Sequence, residues 1–217
     1  MIDLLGQVKD KPFPFPEIST ASEYRFYPEI FWESDSTAFR VAIPTSDLIY
    51  HDATALTTLW RFKVDGTYQQ LASLQASFFG LPAWSSDGRF MIYLRRTSEV
   101  GNQFNLMTAD GDGARPIVYL TDQAGMLQLP RWLPDASEFV YARGQPGDSW
   151  LGSPDSAPMQ LPGSVYNPVF ADPTHYVYTA SSATGFEMRY SDLADPTAAL
   201  SIAPISDPFP SFTVIIH

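Results

Sequence analysis

Residues 81–96 read LPAWSSDGRFMIYLRR, and this stretch decides how the rest of the chain is to be read. Residues 82–85 form a short strand opened by Pro82, a placement that suits proline because a strand's start needs no ladder donor. Ser86-Asp87-Gly88 follows as a tight turn, with Asp87 placed to accept hydrogen bonds from turn amides. Beyond it Phe90, Ile92 and Leu94 alternate with Met91, Tyr93 and Arg95, the pattern of a strand buried on both faces. Phe104, Leu106 and Thr108 alternate in a third strand. Asp110-Gly111-Asp112-Gly113 makes the next turn, and residues 116–120 a fourth strand. Asp-Gly between alternating apolar runs is a strong hairpin signal.

The unit recurs. Residues 129–144, LPRWLPDASEFVYARG, keep the proline, the aromatic two residues on, Asp three after that and Tyr six after the Asp. A third copy, NPVFADPTHYVYTA, starts at Asn167 and is one residue shorter inside. A degenerate copy, IFWESDSTAFRVAIP, starts at Ile30, where Trp32 and Asp35 keep the aromatic-to-Asp spacing. Trp60, Phe62 and Val64 lead into Asp65-Gly66 and a strand over 67–71. Met188 and Tyr190 lead to Asp192, a proline-containing turn and a strand over 198–202. Repeats of about 40–50 residues with four strand-like segments have the length of a propeller blade. No segment carries a sustained 3.6-residue apolar stripe, so no helix longer than a turn is expected. The reading is an all-β chain, a β-propeller of four recognisable four-stranded antiparallel blades. They span about 24–75, 78–122, 126–162 and 164–204, with partial strands at 1–8 and 208–217. One blade cannot bury both faces of its sheet, so the blades must stack.

Composition narrows the partners. Hydrophobic residues make up 45% of the 217 and charged residues 17%, the balance of a folded domain and not of a disordered one. The net charge of -11 repels phosphate backbones, which argues against nucleic acid and against anionic membrane surfaces. No window approaches the roughly 20 apolar residues of a membrane span, so no membrane insertion is expected. The first residues, MIDLLGQVKD, carry no apolar run of the length a secretory signal needs. With no cysteine, disulfides and thiolate metal sites are unavailable.

The repeated residues resemble the WD-like blades of the TolB family, whose typical unit runs P-x-W-S-P-D-G, a strand, then a third strand ending in D-A-D-G. Here that unit appears as Pro82-Ala83-Trp84-Ser85-Ser86-Asp87-Gly88 and Thr108-Ala109-Asp110-Gly111, with a fourth strand ending Leu120-Thr121. The copy at Pro130 keeps Trp132, Pro134 and Asp135 but has Ala136 for the glycine, and the copy at Pro168 has Phe170 for the tryptophan. The resemblance covers residues 28–204 or so. It implies a closed ring of about six or seven blades and an extracytoplasmic bacterial setting, periplasmic or at the cell surface. Four blades then read as an incomplete piece of a larger propeller, the alternative being a small ring closed by its two ends. An open arc exposes blade faces that a partner or self-association would cover.

Catalytic signatures are few. There is no G-x-S-x-G nucleophile elbow and no H-E-x-x-H zinc motif. The histidines, His51, His175 and His217, are scattered. His51-Asp52 lies in a long loop over 45–57, where a His-Asp pair can orient an imidazole, or can simply be an exposed polar loop. His175 falls in a hairpin turn. Asp110-Gly-Asp-Gly invites a calcium reading, but the full D-x-D-x-D-G pattern is missing and a turn explains it. No cofactor and no metal is expected. Arg95, Arg96 and Arg143 end second strands in adjacent blades, which puts them on one rim as a basic patch suited to an anionic peptide or sugar, or as plain surface charge. Asp148 sits in the neighbouring loop, and Trp150 reads as a core aromatic of a weak third strand.

The functional expectation is a non-catalytic scaffold that binds a protein or peptide through loops on one face, near His51, Asp52, Arg95, Arg96, Arg143 and Asp148. The alternative is the gating propeller of a serine peptidase whose catalytic domain lies outside this chain. A third reading, a sugar-binding or lyase propeller, would want histidines and carboxylates on the first strands, which carry almost none.

Overall fold

The computed structural model describes residues 30–44, 53–54, 56–77, 80–98, 103–122, 130–134, 138–143 and 147–207. Among these residues, alternating apolar runs broken by tight turns give sixteen strands in four sheets. The first sheet holds β1 (Ile30–Trp32), β2 (Ala38–Pro44), β3 (Thr57–Lys63) and β4 (Tyr68–Leu74). The second holds β5 (Ala83–Trp84), β6 (Phe90–Arg96), β7 (Phe104–Asp110) and β8 (Ile117–Asp122). The third holds β9 (Arg131–Trp132), β10 (Phe139–Ala142), β11 (Ser149–Ser153) and β12 (Ser156–Gln160). The fourth holds β13 (Tyr166–Phe170), β14 (His175–Ser182), β15 (Gly185–Asp192) and β16 (Asp195–Ile205). Every sheet is an antiparallel meander in chain order, the β-propeller blade read from the sequence.

The sheets pack face against face in succession, so three seams form. Ala42, Leu59 and Leu74 of the first sheet meet Trp84, Met91, Tyr93 and Met107 of the second. Ile92, Leu94 and Leu106, on the second sheet's other face, meet Phe139 and Tyr141 of the third. Leu133, Val140 and Leu151 then meet Phe170, Tyr176, Tyr178 and Ala180 of the fourth. Each large side chain buried this way contributes about 1.5–3 kcal/mol, which makes the seams the main source of cohesion.

Polar groups register the first seam. The half-buried Glu33 carboxylate accepts from Arg40 Nε at 3.1 Å and Arg61 Nε at 2.6 Å. The hydrogen bond from Arg61 holds its carboxyl below the usual range against the opposing effect of burial, with Arg40 assisting. Arg40 Nη1 then crosses the seam to donate to the Gly88 carbonyl at 2.8 Å and the Gly111 carbonyl at 3.2 Å. In the second seam Trp132 Nε1 donates to the Ala83 carbonyl at 2.8 Å. These bonds fix sheet against sheet where apolar contact alone would let them slide.

The repeat's aspartates close the turns. Asp35, Asp87 and Asp172 each accept from the backbone N–H two residues on, at 3.0, 3.0 and 2.8 Å. Burial opposes ionisation of Asp87, but the Arg89 backbone N–H, the Ser85 hydroxyl and the Arg89 side chain outweigh it and lower its pKa to about 2. The Asp172 carboxyl is lowered by the backbone N–H groups of Thr174 and His175, and that of Asp35 by Thr37. A folded-state pKa below the ordinary 3.8 means stability that is present above that pH and lost as pH falls through the folded value. Melting temperature followed by circular dichroism should therefore fall between about pH 4 and pH 2, and Asp87→Asn should flatten that fall. A melting temperature constant across the window would contradict the turn electrostatics.

One placement differs from the sequence reading. Pro196 lies inside β16, and the turn before it is Leu193-Ala194, whose Ala194 N–H is capped by Asp192 Oδ1 at 2.8 Å. β16 is the outermost strand of its sheet, where a residue without an N–H costs no ladder bond. Trp150, by contrast, lies in the third strand of its sheet and packs into the second seam. The end strands at 1–8 and 208–217 lie outside the described residues.

Candidate binding rim

Strand alternation decides which way each arginine faces. Met91 and Tyr93 belong to the first seam, so Arg95 continues that face; Ile92 and Leu94 belong to the second, so Arg96 continues that one. Arg95 pairs with Asn105 and Arg96 with Phe104 across the ladder, and the Thr97 N–H closes it on the Gln103 carbonyl at 3.0 Å. In the third sheet Phe139 and Tyr141 face the second seam, and Arg143, two residues on, follows them. Its N–H donates to the Asp148 carbonyl at 3.0 Å, which extends the β10–β11 ladder by one rung. Arg96 and Arg143 thus flank one seam from its two sides, and Arg95 belongs to the seam before it.

Aromatic groups floor this edge. The Arg143 guanidinium lies over the Trp150 ring at 6.0 Å, an attraction of about 0.5–1 kcal/mol at an exposed site. Beneath it Tyr141 is buried, and its hydroxyl has no hydrogen-bond partner among the described residues. Burial raises that hydroxyl's pKa to about 12, helped by Tyr119 and opposed by the Arg143 charge. The group is therefore a neutral donor at any physiological pH, with no acceptor among the described residues. Such a group costs about 1–3 kcal/mol, a cost that an acceptor brought to it would recover.

The other sequence candidates separate from this edge. Asp148 is half-buried and joins the rim through its backbone. His51 and Asp52 lie outside the described residues. His175 opens β14, with Nδ1 at 2.8 Å from Asp172 Oδ2 and Nε2 at 3.6 Å from Asp192 Oδ2, and its ring stacks on Tyr190 at 5.7 Å. It clips the start of one strand to the end of the next. In the Asp110 turn, Asp112 Oδ1 caps the Ala114 N–H at 3.0 Å and Asp110 Oδ2 lies 3.6 Å from Arg115 Nε. Among the described residues no three His, Asp or Glu side chains gather as a metal site. Tyr141 was missed as a site residue. The repeat's spacing, Tyr six after Asp and two before Arg143, is the signal that would have found it.

No protein-family model and no curated protein matches the chain. Solved structures do. TolB from Acinetobacter baumannii is similar at a TM-score of 0.52 and 14% identity, over 82% of this chain and 44% of that one. An oligogalacturonate lyase in complex with manganese is similar at a TM-score of 0.59 and 14% identity, over 86% and 55%. The fold is a TolB-like β-propeller. A third structure, the dihydro-heme d1 dehydrogenase NirN in complex with DHE, matches at a TM-score of 0.52 and 18% identity, over 85% and 38%. The chain thus spans about half the length of these structures, or less. A lyase and a dehydrogenase are both similar to this chain in fold, so the fold alone assigns no chemistry and the side chains at the rim must carry the functional reading. Among the described residues no helix is long and apolar enough to cross a membrane.

Proposed function

We propose that this TolB-like propeller is a non-catalytic binding module that holds an acidic segment of a partner protein at the rim between its second and third sheets. The observation that carries the reading is that strand alternation turns Arg96 and Arg143 to the two sides of one seam, into which Tyr141 also packs with its hydroxyl, a buried donor with no acceptor among the described residues. A glutamate or aspartate carboxylate would accept charge-assisted bonds from the guanidinium groups and give the tyrosine its missing acceptor, at about 1.5–3 kcal/mol per charged bond. Trp150 beneath Arg143 supplies an apolar floor for the flanking residues. With a net charge of -11 over the whole chain, a small cationic edge selects a locally acidic segment while the surrounding surface repels extended polyanions.

Calorimetric titration of the chain with a short Glu-containing peptide and its Gln counterpart tests this directly. The Glu peptide should bind, and a double Arg96→Ala, Arg143→Ala variant should bind about 10-fold or more weakly, the equivalent of one charge-assisted bond. Tyr141→Phe should weaken binding severalfold while leaving the melting temperature unchanged or higher, because the orphaned hydroxyl goes with it. Equal affinity for the Gln peptide, or an unchanged affinity in the double variant, would overturn the proposal.

A further inference from the structure

The three seams share one framework, and the third fills it differently. Cross-strand partners at the centre of successive sheets are Tyr93 with Met107, Tyr141 with Trp150, and Tyr178 with Arg189. In each pair the tyrosine is the repeat residue six after Asp and faces the preceding sheet. Two residues on stand Arg95, Arg143 and then Ala180. The first two seams are thus plugged by Met107 or Trp150 with an arginine stem above. In the third, both plugs are gone: Arg189 replaces the apolar partner, and Ala180 replaces the arginine.

What remains is a cavity of about 420 Å³. Its walls include Tyr178, Ala180 and Arg189 from the fourth sheet, Thr197 from β16, and Gly163 and Ser164 from the connection between the third and fourth sheets. A Cβ built on Gly163 would meet no atom within 4 Å. The volume lies in the range of small-molecule sites, and the lining mixes an aromatic ring and small apolar groups with a few hydroxyls and one guanidinium.

Charge selects the ligand class. Arg189 Nε donates to Glu187 Oε1 at 2.6 Å, its Nη2 is also paired with that oxygen, and Ser201 Oγ donates to Glu187 Oε2 at 2.8 Å. The Ser201 and Arg189 bonds hold the Glu187 carboxyl below its ordinary pKa, so it stays ionised and cancels the guanidinium charge. An anion entering here would gain little from Arg189, whose charge Glu187 already cancels. A neutral polyol loses nothing by that pairing, since the guanidinium and the lining hydroxyls of Ser164, Ser181 and Thr197 still offer donors and acceptors while the tyrosine ring packs against a sugar face. The geometry points to a binding site for a neutral mono- or disaccharide on the face of the fourth sheet turned toward the third, beside the connection at 162–164 and separate from the arginine rim.

Saturation-transfer NMR on the whole chain tests this with a panel of neutral hexoses and disaccharides, and with glucose and glucuronate as a matched pair. At least one neutral sugar should bind saturably with a Kd on the order of 1 mM, the range for so small a ligand. Glucuronate should bind at least about 10-fold more weakly than glucose or not at all. Ala180→Leu, which fills the cavity, and Arg189→Met, which copies the second sheet's partner, should each abolish binding, with circular dichroism melts verifying that they fold. Should one variant not fold, the other decides. The proposal is overturned if no neutral sugar gives a saturable signal, if glucuronate binds as well as glucose, or if the folded variants bind like the parent.

Discussion

Gly111→Val is expected to force apart two turns of the second sheet, to disturb the Arg40 bonds that tie the first sheet to them, and to lower stability by about 3 kcal/mol or more, at the upper end for overpacked cores. A Cβ at this position would collide with the Gly88 carbonyl oxygen and come within 2.8 Å of Arg40 Nη1. The colliding atom is backbone, so no rotamer relieves the clash. The same few ångströms carry both Arg40 bonds across the seam and two bonds that close the second sheet's own turns. Gly111 N–H donates to the Arg89 carbonyl at 2.7 Å, and its own carbonyl accepts from Trp84 Nε1 at 2.8 Å as well as from Arg40. For a chain of this size the loss corresponds to a melting temperature lower by about 6–12 °C. Gly163→Ala is the control, because the space there is open and only the positive φ of 78° adds strain, worth about 1 kcal/mol. If both variants melt together, the close approach of Gly111 to Gly88 does not constrain these turns.

Phe139→Ala should cost about 3–5 kcal/mol, the usual loss for a buried phenylalanine. Phe139 is fully buried and meets Tyr119 at 5.2 Å and Trp132 at 5.4 Å, both edge to face, with Tyr141 at 5.9 Å. Gly152 is its cross-strand partner, and a Cβ there would lie 2.7 Å from the ring, so the pocket is shaped around this one side chain. Urea unfolding should show the lost stability, and near-ultraviolet circular dichroism should lose intensity because three other aromatic rings lose their common neighbour. Phe139→Leu should recover roughly half of the loss. An alanine variant within about 1 kcal/mol of the parent would mean that the second seam collapses to fill the gap.

The blade architecture was legible because its signals are local. Asp87-Gly88, the alternation over β6 and the spacing from Asp to Tyr each lie within a dozen residues, and the structure places them where those patterns point. The rim was only half legible. Arg95 and Arg96 were grouped as one patch, yet adjacent residues in a strand face opposite ways, and with both faces buried there is no polar side to show which seam each serves. The Glu33–Arg40–Arg61 junction and the cavity beside Arg189 were not legible. The first joins carboxylate and guanidinium groups that only strand pairing brings together, and the second arises from what small residues on separate strands fail to fill.

The outermost strand of each sheet breaks register with its neighbour: between Leu59 and Trp60, Leu106 and Met107, Leu151 and Ser153, and twice along β15. Two of these strands also carry proline, Pro158 in β12 and Pro196 and Pro204 in β16. A straight outer strand offers a row of N–H and C=O groups to any passing chain, whereas a bulged one bends that row and a proline interrupts it. Four sheets placed edge-outward would otherwise be four templates for fibril growth. Built this way, the chain keeps its strand pairing to itself and guards against aggregation without covering its edges.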